Sequence, residues 1–302
     1  LPSVQIEIAM TRRTRIKFLL LAAILVGLSI LFYMVKIEPF WLKVERQNIV
    51  LPHWHGKQPL TILQLSDFHV NIMPETMDRA ARAVALGLKE HPDLIFLTGD
   101  FVTGQGQDGK TYTKILKRLG DAAPTFAVFG NHDGGSWTAR FNGYENHRLL
   151  EKWLTAAGIT PLVNTANEVT VRGERVRIVG LGDLWNGELR SHGLLPPEPP
   201  ELTLLLVHNP DVKEVISPVG WDLMLCGHTH GGQFYLPGIG YPFAPVRDKS
   251  FVVGLHPWQG RYIHISAGVG NLHGIRLNSR PQVSVIRILK SPTDKDRNEI
   301  RR

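Results

Sequence analysis

Polar residues of metal-ligand type recur in this chain directly after short apolar runs. Asp67 and His69 follow TILQLS, Asp100 follows LIFLTG, and Asn131, His132 and Asp133 follow FAVFG. His208 follows LTLLLV, and His228 and His230 follow LMLCG. Apolar runs of this length read as buried strands, and loops at the ends of parallel strands are where such folds assemble their sites. The pattern therefore predicts that these groups converge in one cleft. Two aspartates (Asp67, Asp100), one asparagine (Asn131) and four histidines (His69, His208, His228, His230) form an oxygen and nitrogen donor set. Such a set suits Mn, Fe or Zn. It contains no thiolate and is too rich in imidazole for Ca or Mg alone. So many donors exceed what one ion needs, and a carboxylate can bridge. Two divalent metal ions sharing one aspartate is the simplest arrangement. In D-x-H and H-x-H, extended backbone would point alternate side chains the same way, letting one short segment supply two donors. Gly99, Gly130 and Gly227 each precede a donor, where a tight turn or close backbone approach is expected.

These residues resemble the ordered blocks of the calcineurin-like metallophosphoesterase superfamily: D-x-H, G-D, G-N-H-D/E, H and G-H-x-H. They stand here in that order as Asp67-Phe68-His69, Gly99-Asp100, Gly130-Asn131-His132-Asp133, His208 and Gly227-His228-Thr229-His230, within residues 60–290. Any single block is weak, since G-D occurs in most proteins; the ordered set is specific. The resemblance implies roles by position. Asp67, His69 and His230 would bind one metal, Asn131, His208 and His228 the other, and Asp100 would bridge them. His132 would face the substrate and protonate the leaving alkoxide, with Asp133 orienting it; a short polar residue there also suits a turn cap. The resemblance further implies a phosphoester hydrolase, acting on a phosphodiester, pyrophosphate or phosphomonoester. A metal-bridged hydroxide would attack phosphorus directly, with no phospho-enzyme. Such chemistry needs charge neutralisation and in-line positioning more than covalent catalysis. The resemblance is strongest to bacterial membrane-anchored members that carry GHTHGGQ and a following LPG, here residues 227–233 and 236–238. Some of these hydrolyse UDP-diacylglucosamine, a lipid-linked pyrophosphate of lipid A synthesis.

Strand-like and helix-like segments alternate through the first half: strands at 60–65, 94–97 and 125–129, helices at 74–89, 113–119 and 147–157. Met77, Ala81, Val84 and Leu88 mark one stripe of the first helix, and Gly158 stops the last. The second half is strand-rich, at 169–179, 202–207, 223–226, 262–266 and 283–289, with one helical stretch at 211–216. This order predicts an α/β fold, two packed mixed β-sheets flanked by helices in an αββα sandwich, preceded by one transmembrane helix. The expected division is a basic N-terminus (1–17), an anchor (18–35), a connector (36–59), the catalytic domain (60–290) and a charged tail (291–302). Pro196, Pro197, Pro199 and Pro200 read as a rigid surface loop.

Residues 18–35, FLLLAAILVGLSILFYMV, are uncharged and mostly apolar. As a helix they span about 27 Å, close to the hydrocarbon thickness of a bilayer. Arg12, Arg13, Arg15 and Lys17 precede them, which predicts a cytoplasmic N-terminus and an extracytoplasmic body on a single-pass anchor. No small-x-small cleavage pattern follows Val35, so an uncleaved anchor is expected. The basic cluster partly matches a twin-arginine export signal but carries Arg15 where an aromatic residue is expected. Met10, just before it, is the expected start of translation. An external body conflicts with a UDP-sugar substrate, which is cytoplasmic.

The net charge of +7 does not point to nucleic acid. The excess of positive charge sits at the two ends, in the cluster before the anchor and in the tail with Arg297, Arg301 and Arg302, and the body between is close to neutral. That distribution fits a membrane surface better than a nucleic-acid groove. A nuclease and a non-catalytic metal-stabilised binding protein are the alternatives. The second would tolerate loss of His132, which is present. The single cysteine, Cys226, excludes an internal disulfide and a cysteine-based metal site, and it reads as core. His53, His55, His91, His147, His192, His256 and His264 fit no block and read as ordinary surface or core residues. Asp183, in GLGDLW, is expected near the cleft as a substrate contact or a turn residue, and His273 and Arg276 are candidates for its rim.

Overall fold

The computed structural model describes residues 11–71, 73–195, 201–216, 218–272 and 274–290. Met10, the proline-rich 196–200 loop, His273 and the charged tail 291–302 lie outside the described residues. Helix α1 (Arg12–Phe32) is N-capped by Thr11, whose hydroxyl accepts from the Thr14 N–H. It continues through a π turn (Tyr33–Ile37) and a 3-10 turn (Glu38–Phe40). None of the residues of α1 is buried against the protein. With its two turns it is, among the described residues, the one helix long and apolar enough to cross a membrane, at a mean hydropathy of 2.7. A helix that is apolar all round needs an apolar environment of its own.

The body opens with β1 (Lys43–Val50), β2 (Leu60–Leu65), α2 (Pro74–Leu88), β3 (Leu94–Thr98), α3 (Gly109–Gly120), β4 (Thr125–Val128), α4 (Ser136–Ala139), α5 (Arg148–Ala156) and β5 (Thr160–Pro161). It continues with β6 (Thr165–Val171), β7 (Glu174–Gly180), β8 (Leu202–Leu206), β9 (Leu223–Cys226), β10 (Gly254–Trp258), β11 (Arg261–Ile265) and β12 (Gln282–Leu289). Two six-stranded mixed sheets result, ordered β1-β12-β2-β3-β4-β5 and β10-β11-β9-β8-β7-β6. Within them β2, β3 and β4 run parallel, as do β7, β8 and β9. Strands such as β3 (LIFLT) and β8 (LTLLL) are buried along their whole length, as central strands covered on both faces must be.

Alternation along the strands sorts two cores. Ile62, Leu94, Phe96 and Val128 face Ile178, Leu204, Leu206 and Leu225 between the sheets. Leu63, Leu65, Ile95 and Leu97 face outward onto Ala83 and Val84 of α2, Tyr112 and Leu116 of α3 and Leu154 of α5. The outer face of the second sheet carries a thinner layer. There Val179, Leu205, Met224 and Ile265 pack against Val212, Trp221 and loop residues such as Leu184 and Phe251.

The structure departs from the sequence reading at several elements, among them the short α4 and β5, which the sequence does not mark. The stretch expected as a connector contains β1, which pairs in parallel with β12 from Lys43↔Gln282 to Val50↔Leu289. It is an edge strand carrying Lys43, Glu45 and Arg46, and charge on an edge blunts further pairing while hiding the strand from a hydrophobicity pattern. The single strand expected over 169–179 is the β6–β7 hairpin. Its turn residues Arg172 and Gly173 both take positive φ, 53° and 85°, which suits a tight two-residue turn. Strand β10 was not anticipated, because Pro257 within it demotes the pattern to an edge. The helix expected at 211–216 is a 3-10 turn, Pro210–Glu214, capped by the Asn209 side chain on the Asp211 N–H.

Candidate metal centre

The carboxyl ends of the parallel strands of both sheets meet, and their loops bring the expected donors together. Asp67, His69, Asp100 and His230 form one buried cluster, and Asp100, His208 and His228 form another. Within each, the donor atoms lie within 4.8 Å of one another, and Asp100 belongs to both. Asn131 joins the second cluster, its Oδ1 lying 3.0 Å from His228 Nδ1. In the first, His69 Nε2 and His230 Nε2 are 2.9 Å apart, and His230 Nε2 is 3.4 Å from Asp67 Oδ1. Asp100 Oδ2 stands 3.1 Å from His208 Nε2 and 3.5 Å from His69 Nε2.

Alternation along extended backbone does not produce this convergence. Asp67, His69, Asp100, His228 and His230 all have left-handed φ, between 46° and 70°. Non-glycine residues adopt that region rarely, and such outliers gather at functional sites. In H-x-H a right-handed Thr229 sits between the two left-handed histidines, so the chain coils tightly and delivers both rings to one side. The loops are zipped by backbone bonds: Asp67 N–H to Gly99 C=O, His69 N–H to Asp100 C=O and Val70 N–H to Phe101 C=O. Two glycines allow this closeness. A Cβ on Gly130 would collide with Asp100 Oδ1, and one on Gly227 with Ser66 Oγ.

The far nitrogens of the histidines are held as well, which fixes ring orientation. His208 Nδ1 donates to the Thr98 carbonyl at 2.7 Å, His69 Nδ1 meets Thr103 Oγ1 at 2.7 Å, and His228 Nε2 donates to the Pro245 carbonyl at 3.2 Å. Asp133 serves as a loop brace. Its carboxylate accepts from the N–H groups of Gly130, Asp100, Phe101 and Val102, tying the Asp100 loop to the Asn131 loop. His132 donates its N–H to Asp100 Oδ1 at 2.9 Å, and its half-buried ring lies against His69 and Trp137.

Electrostatics fit a cation here. Burial holds His69 and His230 well below the ordinary histidine range and lowers His228 to about 3, so these rings are neutral and keep lone pairs to offer. Burial also opposes charge on His208, but Asp100 and Asp67 raise it to about 10. Burial opposes charge on Asp100 too, yet His208, His132 and His69 hold it well below the usual carboxylate range. Burial pushes Asp67 to about 7, and burial with the repulsion of Asp100 pushes Asp133 to about 7. Carboxylates and imidazoles packed this closely out of water need a positive charge among them. A divalent cation would meet that need, and its binding would displace protons from the donors.

The donors open into a cleft of about 800 Å³, lined on its polar side by Asp100, Asn131, His132, His228 and His230. Trp137, Phe141, Trp185, Phe234, Phe243 and Leu272 make the rest largely apolar. The aromatic lining was not read from the sequence, because no spacing marks it. Trp137 follows His132 by five residues and Trp185 follows Asp183 by two, and only folding joins them, 5.5 Å apart, with Trp185 4.4 Å from His228. Asn186, also missed, accepts from the Trp137 N–H and donates to the Gly134 carbonyl, joining both walls. Asp183 is a turn residue, one oxygen accepting from the Asn186 N–H, and burial raises it to about 6. Arg276 is corrected from a rim candidate to a buried clamp. It is fully enclosed and donates to the carbonyls of His230, Ser279, Ala267 and Gly270, which leaves it no face for substrate. His264 is a core residue hydrogen-bonded to Gln64, and Cys226 is buried.

Comparison with known proteins points to one family. The calcineurin-like phosphoesterase family matches residues 60–232. Phosphodiesterase YaeI of Escherichia coli is 40% identical over 262 residues, covering 85% of this chain and 92% of the relative. The uncharacterized metallophosphoesterase YkuE of Bacillus subtilis is 29% identical over 82% of this chain and 86% of its own. UDP-2,3-diacylglucosamine pyrophosphatase LpxG of Chlamydia muridarum is 27% identical over 85% of this chain and 92% of its own.

Proposed function

Because the chain belongs to the calcineurin-like phosphoesterase family and is a metal-dependent phosphoester hydrolase, we propose that it is a membrane-anchored two-metal enzyme cleaving a phosphodiester or pyrophosphate bond in a lipid-linked substrate. The observation that carries this reading is the pair of donor clusters sharing Asp100 beside a large, mostly apolar cleft. Asp67, His69 and His230 would hold one ion and Asn131, His208 and His228 the other, with Asp100 available to both. The donor chemistry suits Mn, Fe or Zn. When bound, such ions supply Lewis-acid neutralisation of phosphate charge and water activation at neutral pH. The chain's own residues do the rest. His132 stands at the cleft to give a proton to the departing oxygen. Asp133 keeps the loops of Asp100 and Asn131 in register, and the Trp137–Trp185 wall excludes water from the reacting face.

The lipid-linked substrate is supported by the apolar cleft, by the apolar helix of the chain and by similarity to a pyrophosphatase named for a diacylated nucleotide sugar. A nuclease reading has no comparable support, since the body between the basic ends is near neutral. A substrate panel on full-length, metal-reconstituted protein in nanodiscs tests the proposal. Lipid-linked diphosphates and phosphodiesters are expected to turn over, and single-stranded and duplex DNA are not. Preferential cleavage of DNA would reject it.

Orientation is tested separately. Arg12, Arg13, Arg15 and Lys17 before the apolar run support a body outside the cytoplasm. A reporter fused after Leu289 is expected to read as extracytoplasmic. A cytoplasmic reading would reverse the topology and bring nucleotide-linked lipids within reach, whereas an external one points to a lipid phosphoester without a nucleotide.

A further inference from the structure

The end of α1 is rooted in the rim of the cleft. Arg276 donates its N–H to the carbonyl of Met34 at 3.0 Å, where the apolar run ends. The buried Glu38 carboxylate accepts from the N–H groups of Asn278 and Ser279. The Arg280 guanidinium lies 3.9 Å over the Trp41 ring and donates to the Trp41 carbonyl. The chain at 276–278 is bonded on its other side to the segment after His230. Leu277 N–H donates to Gln233 C=O, Tyr235 N–H to Leu277 C=O, and the Asn278 amide to Tyr235 C=O. Two backbone spacings, on the order of 10 Å, therefore separate the end of the apolar helix from Gln233–Tyr235. Arg276 also clamps the His230 carbonyl, so the anchor, the rim and the metal cluster form one bonded unit.

That rim exposes apolar side chains. An antiparallel bridge between Leu236 and Gly240 closes a turn that holds Ile239 72% exposed. Phe243 is 70% exposed and stands 5.6 Å from Phe234 of the cleft lining. Single exposed apolar residues are ordinary, but two so exposed on one short segment bonded to the end of a long apolar helix suit a membrane-facing surface.

We propose that the segment 234–243 lies in the membrane–water interface, so that the cleft opens at the bilayer surface and receives a lipid-borne phosphoester laterally. The lateral-entry part rests on the phosphoesterase reading; the placement of the segment does not. Full-length protein in nanodiscs, carrying Ile239→Cys with an environment-sensitive label, tests the placement. Cys226 is buried and contributes little background. Lys152→Cys is the control, on α5 beside β5, at the opposite edge of the first sheet from β1. Brominated lipids are expected to quench the label at 239 several-fold more than the label at 152, and equal quenching overturns the proposal. Lateral entry is tested with Ile239→Glu, since Ile239 does not line the cleft. Turnover of bis(4-nitrophenyl) phosphate in solution is expected to stay unchanged. Turnover of hexadecyl 4-nitrophenyl phosphate held in the bilayer is expected to fall about tenfold. An equal response of the two esters overturns lateral entry. If wild-type protein cleaves neither ester, the phosphoesterase reading fails, while the quenching comparison still decides where the segment lies.

Discussion

Asp100→Asn is expected to lose metal from both clusters at once and to abolish most activity. Asp100 is the one residue common to the two donor groups, and its Oδ2 faces His208 on one side and His69 on the other. Asparagine preserves the shape and the acceptor for the His132 N–H, and it tolerates the left-handed backbone at φ 55°. What it removes is the shared negative charge. Lewis-acid stabilisation is worth several kcal/mol, and each 1.4 kcal/mol or so is tenfold in rate, so the loss should be on the order of 10³-fold. Elemental analysis of the reconstituted variant should find both ions depleted, with a folded circular-dichroism spectrum. Asp67→Asn, by contrast, should deplete chiefly the ion held with His69 and His230. An Asp100→Asn protein retaining one full equivalent of metal would contradict the shared-aspartate arrangement. So would wild-type protein that never exceeds one ion per chain.

The order of the donors along the chain was legible because each stands at the end of a strand buried on both faces. Strands such as LIFLT and LTLLL have almost nothing but apolar residues, so they announce themselves and their ends. The conformation at those ends was not legible. Left-handed backbone at Asp67, His69, His228 and His230 is imposed by neighbouring loops through bonds such as His228 N–H to Asp67 Oδ1. Aspartate and histidine enter that region more often than most residues, but still too rarely for local sequence to announce it. The same distinction separates β2 and β3, found from pattern, from β1 and β10, which are edges. An edge strand needs pairing on one side only and can carry Lys43, Glu45 or Pro257. Arg276 looked like a rim residue because arginine is usually exposed. It is buried because its planar guanidinium donates to four carbonyls of irregular loops together. The aromatic cleft was hidden for another reason: Trp137 comes from the short helix α4, and Trp185 and Phe243 from two separate loops.

His132→Ala is expected to separate metal binding from chemistry. The ring lies beside His69 and Trp137 at the cleft, while its backbone N–H, which alanine keeps, is what contacts Asp100. Neither donor cluster includes it. Metal content should therefore remain close to that of the wild type. Activity should fall on the order of 10²–10⁴-fold, the usual worth of a positioned general acid. The loss should also depend on the leaving group. An alkoxide leaves only if it is protonated, so an alkyl ester should suffer the full effect. Nitrophenolate departs readily as an anion, so a nitrophenyl ester should suffer much less. Measuring kcat/KM for both esters on one metal-loaded preparation yields the ratio directly, free of differences in protein quality. An equal loss on the two esters would remove the acid role and assign His132 to holding the phosphate. Loss of an ion from the variant would instead make His132 a ligand and require the two donor sets to be redrawn.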